Sequence, residues 1–145
     1  MYKALTIDSF PIVCVCGSRN WTNAESLWWN LDRLRLSYGV SEIWHGAAAG
    51  ADLIASEWAR YRLLPIREFP ADWTLGRSAG PRRNAEMIAA LPADSVVACF
   101  TAGPLAESIG SADCVRRSLA RGLRVWLAEG TFPARWIVPA PMLAR

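Results

Sequence analysis

Ile12-Val13-Cys14-Val15-Cys16-Gly17-Ser18-Arg19 is the stretch that decides the fold. Its unbroken apolar run marks a strand buried on both faces, of the kind found at the centre of a parallel sheet. Cys14 and Cys16 alternate onto one face of it and read as buried thiols. Gly17 ends the run and lets the backbone turn and approach a ligand closely. Ser18 adds a hydroxyl and Arg19 a planar forked cation. Taken alone, these three residues also describe an ordinary turn.

Outward from this strand, helical and extended patterns alternate. Thr22 with Glu25 makes a capping box, and Leu27, Leu31, Leu34 and Tyr38 follow at helical spacing until Gly39. Glu42-Ile43-Trp44-His45 is a second strand, and Gly46 to Gly50 a turn of small residues. Ala51, Ile54, Ala55 and Trp58 mark a second helix. Ile66-Arg67-Glu68-Phe69 is a more polar third strand and so lies nearer an edge. Pro81 suits the first turn of a third helix, whose apolar stripe is Ala85, Ile88, Ala89 and Leu91. Ser95 to Phe100 is the second candidate for the sheet centre. A helix from about Ser111 to Arg121 and a fifth strand, Leu123 to Leu127, complete the pattern. The alternation predicts a Rossmann-like, doubly wound α/β fold: a mostly parallel five-stranded sheet with helices on both faces. Residues 1–145 read as one domain with a core over about 12–127. The tail 130–145, with Pro133, Pro139 and Pro141, is expected to lie across the surface.

With 52% apolar and 20% charged residues in 145, a packed core is expected and disorder is not. No apolar run reaches the roughly 18 to 20 residues of a membrane span. Asp8 and Pro11 interrupt any signal-peptide core, so the expected location is cytoplasmic. The net charge of +3 is too mild to argue for a nucleic-acid partner. Lys3 is the one lysine; the arginine bias fits a GC-rich genome as well as a need for forked phosphate ligands. Cys14, Cys16, Cys99 and Cys114 form no C-x-x-C pair, and His45 is the sole histidine, so neither a metal nor a cofactor is expected.

In an open parallel sheet, ligands bind beyond the carboxyl ends of the strands. Four segments fall there. The first is Gly17-Ser18-Arg19. The second runs from His45 and Gly46 to Asp52, which complements the helix dipole, accepts from a sugar hydroxyl or holds Arg19. The third holds Asp72, Trp73, Arg77, Arg82, Arg83 and Asn84 around Pro81; dipole and guanidinium would act there on one anion. The fourth spans Gly103 to Gly110 and Ser111, a natural N-cap behind which free N–H groups cradle a phosphate.

These motifs, together with Phe-Pro-Ala-Asp-Trp at 69–73, Gly-Arg-Ser-Ala-Gly-Pro-Arg-Arg-Asn at 76–84 and Met87, resemble the successive motifs of the YspA-like (cpYpsA-related) family of the SLOG superfamily. The resemblance covers roughly residues 12–127. It implies a Rossmann-like fold, a distant relation to the LOG phosphoribohydrolases and to DprA, and a nucleotide or ADP-ribose-like ligand. Two departures stand out. Gly103 and Gly110 are farther apart than the family's Gly-Gly-x-Gly-Thr loop, and Ser111 stands where Thr is expected. Cys114 occupies the place of the LOG catalytic Glu, with Asp113 about 100° round the helix.

Two functional readings follow. One is a sensor or binding module for a nucleotide-derived ligand, with Trp21 or Trp73 stacking on the base. The alternative is a nucleotide-processing hydrolase of N-glycosidic or phosphate bonds, with Asp52, Asp72, Glu107 and Asp113 as candidate carboxylates. Single-stranded DNA binding, by analogy with DprA, lacks the charge it would need. Trp28-Trp29 could form the face of a homo-oligomer. Arg82 is expected to hold the anion, and Arg121 only to favour a helix dipole.

Overall fold

The computed structural model describes residues 10–137. Lys3 and Asp8, and Pro139 and Pro141 in the tail, lie outside them. The order is β1 (Ile12–Gly17), α1 (Ala24–Tyr38), β2 (Glu42–His45), α2 (Ala51–Tyr61), β3 (Ile66–Glu68), a 3-10 segment (Trp73–Ser78), α3 (Ala79–Ala90) and β4 (Val96–Thr101). A 3-10 turn (Leu105–Glu107), α4 (Ile109–Ala120), β5 (Arg124–Glu129) and β6 (Arg135–Ile137) follow. The sheet order is β3-β2-β1-β4-β5-β6. The first five strands are parallel and β6 runs antiparallel to β5.

Among the described residues the sheet therefore has six strands, where five were expected. The sixth comes from the tail, between Pro133 and Pro139, and is too short to show a period. It follows a turn in which the Phe132 N–H reaches the Glu129 carbonyl, and Arg135 pairs with Glu129 at 3.0 Å.

β1 and β4 occupy the centre, and all six residues of β4 are buried. Alternation along β1 sends Val13 and Val15 into one layer and Cys14 and Cys16 into the other. The first layer is closed by Leu27, Leu31 and Leu34 of α1 and by Ala55 and Trp58 of α2. The second is closed by Met87 and Ile88 of α3 and by Cys114 and Val115 of α4. Each fully buried Leu contributes roughly 1.5 to 3 kcal/mol. Asp32 of α1 accepts the Trp58 indole N–H at 3.0 Å and the Arg62 fork at 2.8 and 3.0 Å, which fixes α2 against α1. β3, the polar strand, is one edge, and β6 is the other. All four cysteines are free and buried. Burial pushes the Cys14 thiol, and hydrogen bonding with Cys16 followed by burial pushes the Cys114 thiol, well above the usual range, which makes them poor nucleophiles.

Helix ends differ from the sequence expectation at three points. Asn23, not Thr22, caps α1 and accepts the Ser26 N–H at 3.0 Å. Ser108, not Ser111, holds the N-cap position of α4. Arg121 reaches across to α3 and donates to the carbonyls of Ile88 and Leu91 at 2.6 and 2.9 Å, so it closes a neighbouring helix as well as its own. No helix among the described residues is long and apolar enough to cross a membrane.

Candidate functional site

The chain reverses direction through the sheet between β1 and β4, and the loops that leave these two strands diverge there. A cleft of about 780 Å³ opens at this switch point. That is within the range of small-molecule sites.

Gly17 lies where β1 and β4 pass closest to α2; a Cβ there would stand 2.2 Å from the Phe100 carbonyl oxygen. Ser18 donates its N–H to that same oxygen at 2.8 Å, and its Oγ accepts the Ala102 N–H at 3.0 Å. The hydroxyl proton of Ser18 is left to give elsewhere. Arg19, Ala102 and Gly103 all line the cleft.

The second loop is held from within. The Asp52 Oδ2 accepts the N–H groups of Gly46 at 3.0 Å and Ala48 at 3.2 Å. Ala47 between them has φ of 57°, a left-handed conformation that few L-residues adopt, and its N–H is held by His45 Nδ1 at 2.9 Å. Asp52 therefore neither caps by dipole alone nor pairs directly with Arg19: it ties its own loop shut.

The Arg-Arg-Asn run divides. Arg83 and Asn84 turn inward; Arg82 is exposed and is not part of the cleft lining, so it is set aside as an anion ligand. The two residues lie about 100° apart on the helix. Arg83 donates to the carbonyls of Gly46 and Phe69 and, at 2.9 Å, to Asn84 Oδ1. Asn84 donates to the Gly110 carbonyl at 3.2 Å and to Asp113 Oδ2 at 3.0 Å. Together they join the loops after β2 and β3 to the first turns of α4.

Arg77 and Trp73 line the cleft; Asp72 does not, and its carboxylate instead accepts from Thr74. Trp21, one of the two indoles favoured for stacking, is only 4% exposed, packs edge-on against Phe100 and gives its N–H to the Asn23 carbonyl. It is core. At the oligomer face considered above, Trp28 packs on Tyr61 while Trp29 is exposed.

Gly103, Gly110 and Ser111 all reach the cleft. Among the described residues, the N–H groups of Ile109, Gly110 and Ser111 make no hydrogen bond, and Ser108 supplies no side-chain cap. The Ser108 hydroxyl donates to Ser111 Oγ at 2.9 Å. Three free donors and the positive end of a 12-residue helix thus face one space. No acidic residue stands in the first turn of α4. The sequence suggests free N–H groups behind Ser111; with Ser108 at the N-cap, those of α4 lie one turn earlier.

The carboxylates of the cleft differ in what they can do. Burial would raise the Asp113 carboxyl, but hydrogen bonds from Arg117 and Asn84 and the charges of Arg117 and Arg116 outweigh it and hold the group below the usual range. The Glu107 carboxylate makes no hydrogen bond or ion pair among the described residues and is the free carboxylate of the lining. Cys114 is 1% exposed. Among the described residues, no group of three or more His, Cys, Asp or Glu could hold a metal.

Burial raises the Asp52 carboxyl to about 6, against the N–H bonds of Ala48 and Gly46 and the charges of Arg83 and Arg19. An acid that binds its proton more tightly when folded favours the native state below its unfolded pKa. That contribution is lost as pH rises through the folded value. The shift corresponds to about 3 kcal/mol, all of it gone by about pH 7. Asp52→Asn keeps the shape and cannot ionise. In urea titrations the wild type should therefore lose about 3 kcal/mol relative to this variant between about pH 3 and pH 7. Parallel stability curves would exclude a perturbed Asp52. The carboxylates held low, Asp32, Asp113 and Glu129, act in the opposite sense in both proteins and cancel.

A parallel sheet with a polar cleft at its switch point is the arrangement of a Rossmann-like α/β protein. The model of the YspA, cpYpsA-related SLOG family matches residues 11–76, from β1 to the 3-10 segment after β3. The Gene 61 protein of Mycobacterium phage D29 is 37% identical over 122 residues, which cover 78% of this chain and 92% of that protein. The chain belongs to the YspA, cpYpsA-related SLOG family. No solved structure matches it.

Proposed function

We propose that the cleft binds a nucleotide or nucleotide-derived ligand, ADP-ribose-like or a signalling nucleotide, and that the protein acts as a sensor or binding module. The observation that carries this reading is the row of free N–H groups at Ile109, Gly110 and Ser111, aimed into a cleft that Arg19 and Arg77 also line. Donors and dipole together favour a phosphate. Hydrolysis is less well supported: Asp52 and Asp113 are committed to internal hydrogen bonds, Asp72 stands outside the cleft, and Cys114 is buried. Glu107 is the remaining carboxylate.

Gly110 gives a test in which stability and binding move in opposite directions. It is helical, and a Cβ there meets nothing within 4 Å. Gly110→Asp should stabilise the fold by about 0.5 to 1 kcal/mol, because it removes a helical glycine and places a carboxylate at the positive end of α4. It should weaken phosphate-ligand binding about tenfold or more by repulsion and by filling the cradle. Gly110→Ala should share the gain in stability and keep the affinity. Calorimetry with AMP, ADP-ribose and inorganic phosphate, beside thermal melts, measures both. Equal affinity in all three proteins would place the phosphate elsewhere. Incubation of the same ligands followed by product analysis separates binding from turnover, and a product lost in Glu107→Gln would favour the hydrolase.

A further inference from the structure

At the mouth of the cleft, Trp73 is left 54% exposed and belongs to neither core layer. Its position is nevertheless fixed. Asp72 Oδ1 accepts the Thr74 N–H at 3.1 Å and sets the turn that carries the ring. Gly80 passes beside it; a Cβ there would touch the Trp73 ring edge at 3.7 Å. The Arg19 guanidinium, from the loop after β1, lies over the indole with Cζ 4.9 Å from the ring centroid. A guanidinium from the loop after β1 and an indole from the 3-10 segment therefore meet at the cleft that the free N–H groups of α4 also line.

We infer that Trp73, stacked with Arg19, is a base-binding subsite, and that the ligand is a nucleoside phosphate whose nucleobase packs on this pair while its phosphate sits at the start of α4. The inference rests on the phosphate site proposed above. Every nucleobase has a flat π-face, and an anchored indole with a guanidinium beside it accepts such a face without reading its edges. The subsite selects for a base and favours purines, which overlap the indole more fully.

AMP and ribose 5-phosphate share the phosphate and the sugar and differ in the base. Calorimetry on the wild type, Trp73→Ala and Trp73→Phe uses both as probes. The wild type should bind AMP about tenfold or more tightly than ribose 5-phosphate. Trp73→Ala should abolish that margin while leaving ribose 5-phosphate within about twofold of its wild-type affinity, and Trp73→Phe should keep most of the margin. Equal wild-type affinity for the two probes would overturn the base subsite, as would a parallel loss of both in Trp73→Ala, which would make Trp73 a wall of the cleft. If neither probe bound the wild type, the phosphate site itself would fall, and the base subsite with it.

Discussion

Gly17→Ala should destabilise the protein by about 3 kcal/mol or more and remove ligand binding with it. A methyl group at this position would stand 2.2 Å from the Phe100 oxygen and 2.7 Å from the Ala51 Cβ. Neither neighbour is a flexible side-chain end. Moving β1 away from β4 would break the Ser18 N–H bond to Phe100 and carry Ser18 Oγ off the Ala102 N–H. Moving α2 instead would lift Asp52 from the loop that it ties. Either relief deforms the cleft. Urea unfolding gives the stability, and phosphate-ligand calorimetry on the remaining folded protein gives the affinity. Gly110→Ala, where no clash exists, is the control. A Gly17→Ala protein with wild-type midpoint and affinity would show that the strand end yields at no cost.

Arg83→Ala should cost about 3 to 5 kcal/mol, because hydrogen bonds to charged groups are worth roughly 1.5 to 3 kcal/mol each and the partners left behind are partly buried. The carbonyls of Gly46 and Phe69 and the oxygen of Asn84 would lose their donor together. Asp52 would lose a nearby positive charge, so its pKa should rise further above about 6. Arg83→Lys keeps the charge and loses the fork, so an intermediate loss is expected. At neutral pH, Asp52→Asn should gain about 1 kcal/mol more in the Arg83→Ala background than in the wild type, since it removes a buried carboxylate that has lost one of its nearby cations. Strict additivity of the two substitutions would argue that Arg83 and Asp52 act independently.

The fold was legible because its signals were long or doubled. Ile12 to Cys16 and Ser95 to Phe100 are continuous apolar runs, and both lie at the sheet centre. The polar character of residues 66–69 placed β3 at an edge, where it is. Short signals failed. Three residues of β6 between prolines carry no period, and only pairing with β5 makes them a strand. Asn23 and Thr22 are both good caps one residue apart, as are Ser108 and Ser111 one turn apart; tertiary contacts choose between them. At the site, the residue types were readable and their phase was not. Arg82 and Arg83 are chemically identical neighbours, and only the packing of α3 decides which one faces the sheet. Trp21 and Trp73 both follow strands, yet one completes a layer with Phe100 and the other is left outside.

The central position of β1 also sets the order in which the protein can fold. Val13 pairs with Ile43 on one side and with Val96 on the other. The β1–β2–β3 half can form its own parallel ladders early, but until β4 exists β1 presents a bare, apolar hydrogen-bonding edge. During synthesis that edge stays open from the emergence of residue 17 to that of residue 101, when the second half closes the centre of the sheet. The loop joining Val13 to Val96 makes this closure entropically costly, so the β1–β4 seam, on which the cleft depends, should form later than the β1–β2 pairing and is where a nascent chain would meet another.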